Sequence, residues 1–196
     1  MQNAQAHPGL EVRLRVLERG LSVDRAWSLP MVQRELALGE AEVRAAGMVV
    51  RLLSLPVSVH RDRRFMHTPV VSLSPLRKLS LGQIAHLVGT ASMRLDLQAA
   101  PEDWVSTAQA QGRGREPDAI WSEEGARRAI EYDSGMYAAE TIRRKLSDFG
   151  RYDHLYWGVP TAKRVEFVQS FAGPFTRLTV FRVDWFQPVA APPSGP

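Results

Sequence analysis

The sequence predicts a mixed α/β chain with a helical first part and a second part built on a mixed sheet. Three observations carry that prediction. Leu10, Leu14, Leu17 and Leu21 recur at the spacing of one helix face. Around the charged block 60–64 the pattern changes to strand-like alternation. Beyond Pro117, short β-branched or aromatic runs alternate with helical ones, which is the order of an α/β unit.

The elements follow in order. "GLEVRLRVLERGL" is a first helix. "SLPMVQRELAL" is a second, with Ser28 as N-cap and Pro30 in its first turn. "GEAEVRAAGMVVRLLSL" reads as a third, with Val43, Ala46, Val50 and Leu53 on one side. A hairpin follows, with Val57 and Val59 leading in, Val71 and Leu73 leading out, and a basic tip. Three helices and then a basic hairpin is the order of a winged helix-turn-helix, and a packing unit without DNA contact is the open alternative. "SLGQIAHLVGTASMRLDLQ" is a further helix with Ile84, Leu87, Val88, Ala91 and Leu95 as its stripe, and His86 beside it reads as a packed or satisfied group. "APEDWVSTAQAQGRGRE" reads as a linker and the best boundary in the chain. Then come strands at "PDAIW" and "ARRAIEYD", a helix to Gly150, a strand at "HLYWGV", a helix closed by Gly173, and a strand at "TRLTVFRVDWF". The expected organisation is 9–79 helical, 80–187 α/β, and a Pro/Gly/Ser tail at 188–196, with 1–8 also expected to be disordered.

Composition excludes several classes. The 196 residues are 44% hydrophobic and 23% charged, enough for a real core. No apolar run approaches the roughly 18 residues of a membrane span, and the N-terminus has no apolar leader. A cytoplasmic, membrane-independent protein is expected. Cysteine is absent, so disulfides, thiolate zinc sites and cysteine nucleophiles are excluded. His7, His60, His67, His86 and His154 have no zinc spacing. No phosphate-binding glycine loop, dinucleotide fingerprint or nucleophile elbow occurs, so no nucleotide cofactor is expected. The net charge is +4, and Lys78, Lys145 and Lys163 are the only lysines, so arginine supplies the cations. Abundant Ala, Arg, Leu and Val fit a GC-rich bacterial genome.

Chemistry concentrates in the second part. Side chains alternate along a strand, so Glu131 and Asp133 are expected on one face. If "PDAIW" is the antiparallel neighbour, Asp118 approaches Glu131 at the open end of the hairpin. Three such carboxylates repel unless a hard cation such as Mg²⁺ sits between them, where it could activate water on a phosphodiester. On the next helix Lys145 borders the stripe of Ala138, Ile142, Leu146 and Phe149, and its ammonium can reach back to the carboxylates. Arg143 and Arg144 face solvent or a phosphate backbone. Lys163 and Arg164, with Thr161, either hold a phosphate at a helix N-terminus or form an ordinary cap. Trp104, Trp121, Trp157 and Trp185 read as core or interface aromatics, with base stacking as the alternative.

Pro117-Asp118, Glu131 one strand later, a helix and an aromatic strand resemble the restriction-endonuclease-like PD-(D/E)xK fold. Within it they resemble the replication-relaxation family of plasmid and phage proteins. The pieces are "IAHLVGTASMRLDL", Trp104, "PDAIW", "IEYDSG", Lys145 in "KLSDFGRY" and "VPTAKR", over about residues 80–172. The resemblance implies a DNA-associated protein of plasmid or mobile-element replication or relaxation. Asp118, Glu131 and Asp133 would hold Mg²⁺ or position water, and Lys145 would stabilise charge on the phosphate. Asp133 stands where active members carry lysine, and Lys145 is the candidate replacement. Cleavage, metal holding without cleavage, and merely structural carboxylates all stay open at this level. The DNA contacts expected are Arg61, Arg63 and Arg64 on the hairpin, with Arg143, Arg144, Lys163 and Arg164 in the second part. The alternatives are an interaction or homodimerising protein on a degenerate nuclease fold, and a winged-helix transcriptional regulator.

Overall fold

A computed structural model describes residues 9–59, 62–107, 116–173 and 176–186, with side chains omitted at 58–59 and 62–64. The expected disordered stretches at 1–8 and 188–196, and most of the basic linker end, lie outside the described residues.

The first part is built from α1 (Leu10–Asp24), β1 (Trp27–Ser28), α2 (Leu29–Leu36), α3 (Glu40–Ala45), β2 (Val49–Val59) and β3 (Asp62–Ser72). Along α1, Leu17 and Leu21 are buried while Leu10 is exposed. Ser28 Oγ accepts from Met31 N and starts α2, as its sequence position predicts. The third helix is shorter than its periodicity predicts. Gly47 turns the chain at φ +81°, and the β-branched Val49-Val50 pair opens a strand in place of more helix. The hairpin is correspondingly longer, with both strands running 11 residues. A two-residue strand that the sequence does not predict, β1, pairs antiparallel with β3 at Trp27↔Val71 and Ser28↔Val70, giving the order β1-β3-β2.

The second part runs α4 (Leu81–Asp96), β4 (Trp104–Ser106), β5 (Ala119–Glu123), β6 (Ala126–Tyr132), α5 (Ala139–Asp148), β7 (His154–Val159), α6 (Ala162–Gln169) and β8 (Leu178–Arg182). The expected linker therefore contains a strand, β4, paired with β5. Strands β4, β5 and β6 are antiparallel, whereas β7 and β8 continue parallel to β6. The five-stranded sheet runs in sequence order, and its mixed character is what the sequence predicts.

Helix α4 is buried nearly all round because it lies between the two sheets. Ser80 and Gln83 close its start as a capping box, with Ser80 N donating to Gln83 Oε1 at 2.9 Å. Gly89 permits the close approach to the larger sheet, since a Cβ there would overlap the Tyr132 ring. On the other side Arg94 donates to both oxygens of Asp24, at 2.9 and 2.7 Å, and Trp27 Nε1 donates to the same carboxylate at 2.7 Å. One apolar core thus runs from Leu17 and Trp27 through α4 to Tyr132 and Trp185. A second core lies on the opposite face of the sheet, where α5 and α6 cover Ala129, Trp157 and Val180. No helix among the described residues is long and apolar enough to cross a membrane.

Arg94 and Asp24 are only 4% and 3% exposed. Arg94→Ala strands a buried carboxylate, so urea denaturation is expected to show a loss of about 3–5 kcal/mol.

Candidate functional site

The site grows from the pairing of β5 with β6. Their register sets Ala119 opposite Ile130, so one residue further Asp118 faces Glu131 at the sheet end. Ile130 and Tyr132 point towards α4, while Ala129 packs under α5 and α6. By alternation Glu131 also points under those two helices, and it is fully buried.

Lys145 answers that burial. Its Nζ lies 2.7 Å from Glu131 Oε1, and both side chains are almost sealed from solvent. The ammonium also sits over the Tyr137 and Phe149 rings at 5.2 and 5.3 Å. Tyr137 OH donates to Glu131 Oε1 at 2.8 Å. Glu131 Oε2 and the Nε1 of its strand neighbour Trp157 are buried without a hydrogen-bond partner among the described residues. Burial, then the Asp118 charge, push Glu131 up to about 8, while Lys145 and Tyr137 pull the other way. Burial and the same two carboxylates push the Tyr137 phenol far above its usual range.

Asp118 turns to the other side. Its Oδ2 accepts from Tyr132 N at 2.9 Å and lies 3.2 Å from His86 Nδ1 on α4. Burial works against charge on both groups, but their attraction outweighs it. His86 is held above its usual value, and Asp118 below the usual carboxylate range, helped by Tyr132 N–H and Lys145. Lys145 therefore contacts Glu131 directly and acts on Asp118 only through space.

Asp133 lies one residue past the end of β6 and has its own partners. Oδ2 accepts from Arg164 Nε and Nη2 at 2.9 and 2.6 Å. Oδ1 accepts from Gly135 N and Tyr137 N at 2.8 and 3.3 Å. Arg164 is thereby turned inward from α6, while Thr161 Oγ1 caps that helix by accepting from Arg164 N. Thr161 thus caps this helix start, while Arg164 is bound to Asp133 and is not a solvated cation.

Asp118 and Glu131 are brought together, Lys145 joins them, and Asp133 leaves with Arg164. Arg143, Arg144 and Lys163 are exposed, with Arg143 stacked on Phe171. Arg63 and Arg64 fall on β3 near the hairpin end, and Arg61 lies outside the described residues. His86, read from the sequence as a packed or satisfied group, is satisfied by Asp118, and Tyr137 is the participant that sequence reasoning missed. The signal for His86 was its place beside the α4 stripe, one turn before Gly89 and Thr90.

Residues 39–163 match the profile of a family described as Replication-relaxation. The chain belongs to the replication-relaxation family. The match covers well over half of the chain, including the hairpin, α4 and the carboxylate cluster. It therefore reaches further towards the N-terminus than the resemblance over residues 80–172. Searches of curated proteins and of solved structures return no match.

Most of the oxygens expected to hold Mg²⁺ in this replication-relaxation chain are already engaged by protein groups. Both oxygens of Asp133 are taken, and one oxygen of Asp118 is held by His86 and a backbone N–H. Lys145 holds one oxygen of Glu131. Among the described residues no group of three or more His, Cys, Asp or Glu side chains is placed to hold a metal ion.

The raised value of Glu131 has a consequence for stability. The folded protein keeps a proton that the unfolded chain releases between its ordinary 4.5 and about 8. This contribution is full below 4.5 and is lost as pH rises to about 8. The raised His86 value adds a further loss above 6.5. Urea titrations near pH 5 and pH 8.5 are expected to show falling stability. Glu131→Gln should flatten the fall, leaving the part due to His86.

Proposed function

We propose that this replication-relaxation protein binds duplex DNA of a plasmid or other mobile element through its N-terminal part, a winged helix whose wing is the β2–β3 hairpin. The observation that carries this reading is the element order α1-β1-α2-α3-β2-β3 with β1 closing onto β3. That closure pairs only residues 70 and 71, so most of each 11-residue strand continues as a two-stranded ribbon with Arg63 and Arg64 near its end. The helical side is poorly suited to a polyanion. Glu35, Glu40 and Glu42 accompany Arg34 and Arg44 there, and Arg44 is bound to Glu40 at 2.7 Å and to the Val50 carbonyl. Phosphate contact thus falls to the ribbon. The second part is a restriction-endonuclease-like unit that acts as a binding platform. Its helix, three antiparallel strands, helix and parallel strand support that reading, and the carboxylates held by Lys145, His86 and Arg164 support a role without cleavage.

Phosphodiester cleavage is a second reading with two observations in its favour: Lys145 reaches Glu131, and Glu131 Oε2 has no hydrogen-bond partner among the described residues. Incubation with supercoiled plasmid plus Mg²⁺ or Mn²⁺ separates the two. Unchanged topology supports the platform reading. Nicking that Asp118→Ala and Lys145→Ala both abolish overturns it.

The duplex reading is tested by reversing Arg61, Arg63 and Arg64 to Glu and measuring affinity across salt. Binding is expected to weaken, and the slope of log affinity against log salt to shrink by about 0.9 for each phosphate that is no longer neutralised. Unchanged affinity and slope contradict the wing.

A further inference from the structure

The end of the larger sheet opposite the carboxylates carries a cleft of about 440 Å³ between the end of α5 and the start of β8. That size lies within the roughly 300–1,000 Å³ of small-ligand sites. Its floor is apolar, formed by Leu146, Phe149 and Leu155, and Arg151, Tyr152 and Arg177 stand around it. Neither guanidinium has a buried ion-pair partner among the described residues, although Arg151 also lies 5.2 Å over the Tyr152 ring. Arg151 pairs with Glu116 at 2.8 Å, but those side chains are 54% and 44% exposed, so the pair is easily exchanged for another anion. Among the described residues Arg177 makes a long bond of 3.5 Å, to the Asp153 carbonyl. The Asp153 carboxylate accepts from Arg127 N at 2.7 Å.

The surroundings reinforce the positive field. Arg127 lies 5.6 Å over the Tyr152 ring. Arg128 lies 4.4 Å over Trp121, with Glu123 at 3.4 Å as its surface partner. Nearby His154 is held below its usual value, by burial first and then by Arg128 and Arg177. An apolar floor under two available guanidiniums suits an anion with a flat apolar body. Guanidinium forks match phosphate oxygens, and a base can lie against an aromatic ring.

We propose that this cleft binds a nucleoside phosphate, free or as one unit of a single strand, with the base over the half-buried Leu146 side of the floor and the phosphate between Arg151 and Arg177. The proposal rests on the cleft alone and is independent of duplex binding by the hairpin.

Calorimetric titration of the full chain tests it, using deoxyadenosine monophosphate, a short oligothymidylate and inorganic phosphate as probes. At least one nucleotide probe is expected to bind saturably and more tightly than inorganic phosphate. The Arg151→Ala/Arg177→Ala double variant should weaken that binding by about tenfold or more. Both side chains are at the surface, and an unchanged melting temperature confirms the fold. Equal binding of both nucleotides assigns a single nucleotide as the ligand, whereas tight binding of the oligomer alone assigns a strand. Absence of saturable nucleotide binding, an unchanged double variant, or phosphate binding as tightly as nucleotide overturns the proposal. The hairpin Arg→Glu variant should retain nucleotide binding, so failure of the duplex reading is distinguishable from failure of this one.

Discussion

Three carboxylates crowd one end of the five-stranded sheet, and each is held by a basic side chain from a different helix. Lys145 on α5 takes Glu131, His86 on α4 takes Asp118, and Arg164 on α6 takes Asp133. Like charges this close and this buried would destabilise the fold if left together. Dividing them among three partners offsets part of that penalty, which persists in the raised value of Glu131, and ties three helices to the same end of the sheet. The arrangement also fixes what the site can do. Four of the oxygens that would have to converge on a cation are instead engaged by separate partners.

Helix α4 transmits this order to the rest of the molecule. One side carries His86 to Asp118 and brings Gly89 against Tyr132. The other ends in the buried Arg94–Asp24 pair with Trp27. Trp185, near the end of the described chain, closes the seam: its Nε1 donates to Tyr132 OH, and its carbonyl accepts from Ser28 Oγ at the start of α2. The ribbon-bearing part and the larger sheet therefore share one core. The family match runs across both parts in the same way.

Much of this is legible in the sequence where a period repeats often enough. Helices α1, α4 and α5, the mixed sheet and the inward Lys145 all follow from spacing. Strands β1 and β4 do not, because two or three residues carry no period. The start of β2 reads as helix because its apolar residues also fit a helical stripe, and only Gly47 marks the break. At the site, alternation places Asp118 opposite Glu131 and puts Asp133 on the same face. Alternation ends with the strand, however, and Asp133 lies one residue beyond it. Its bond to Arg164 joins residues 31 apart in the chain, and that of His86 to Asp118 joins residues 32 apart. Neither separation leaves a local pattern.

The central claim is that these carboxylates are divided among three basic partners rather than gathered on a cation. Carboxyl-detected NMR titration of the intact protein, with and without Mg²⁺, tests it most directly. The account predicts that Glu131 titrates near 8 and Asp118 below the usual carboxylate range, with neither signal moved by Mg²⁺. Ordinary titration of both groups near pH 4, or a joint shift of the Asp118 and Glu131 signals on adding Mg²⁺, would contradict it.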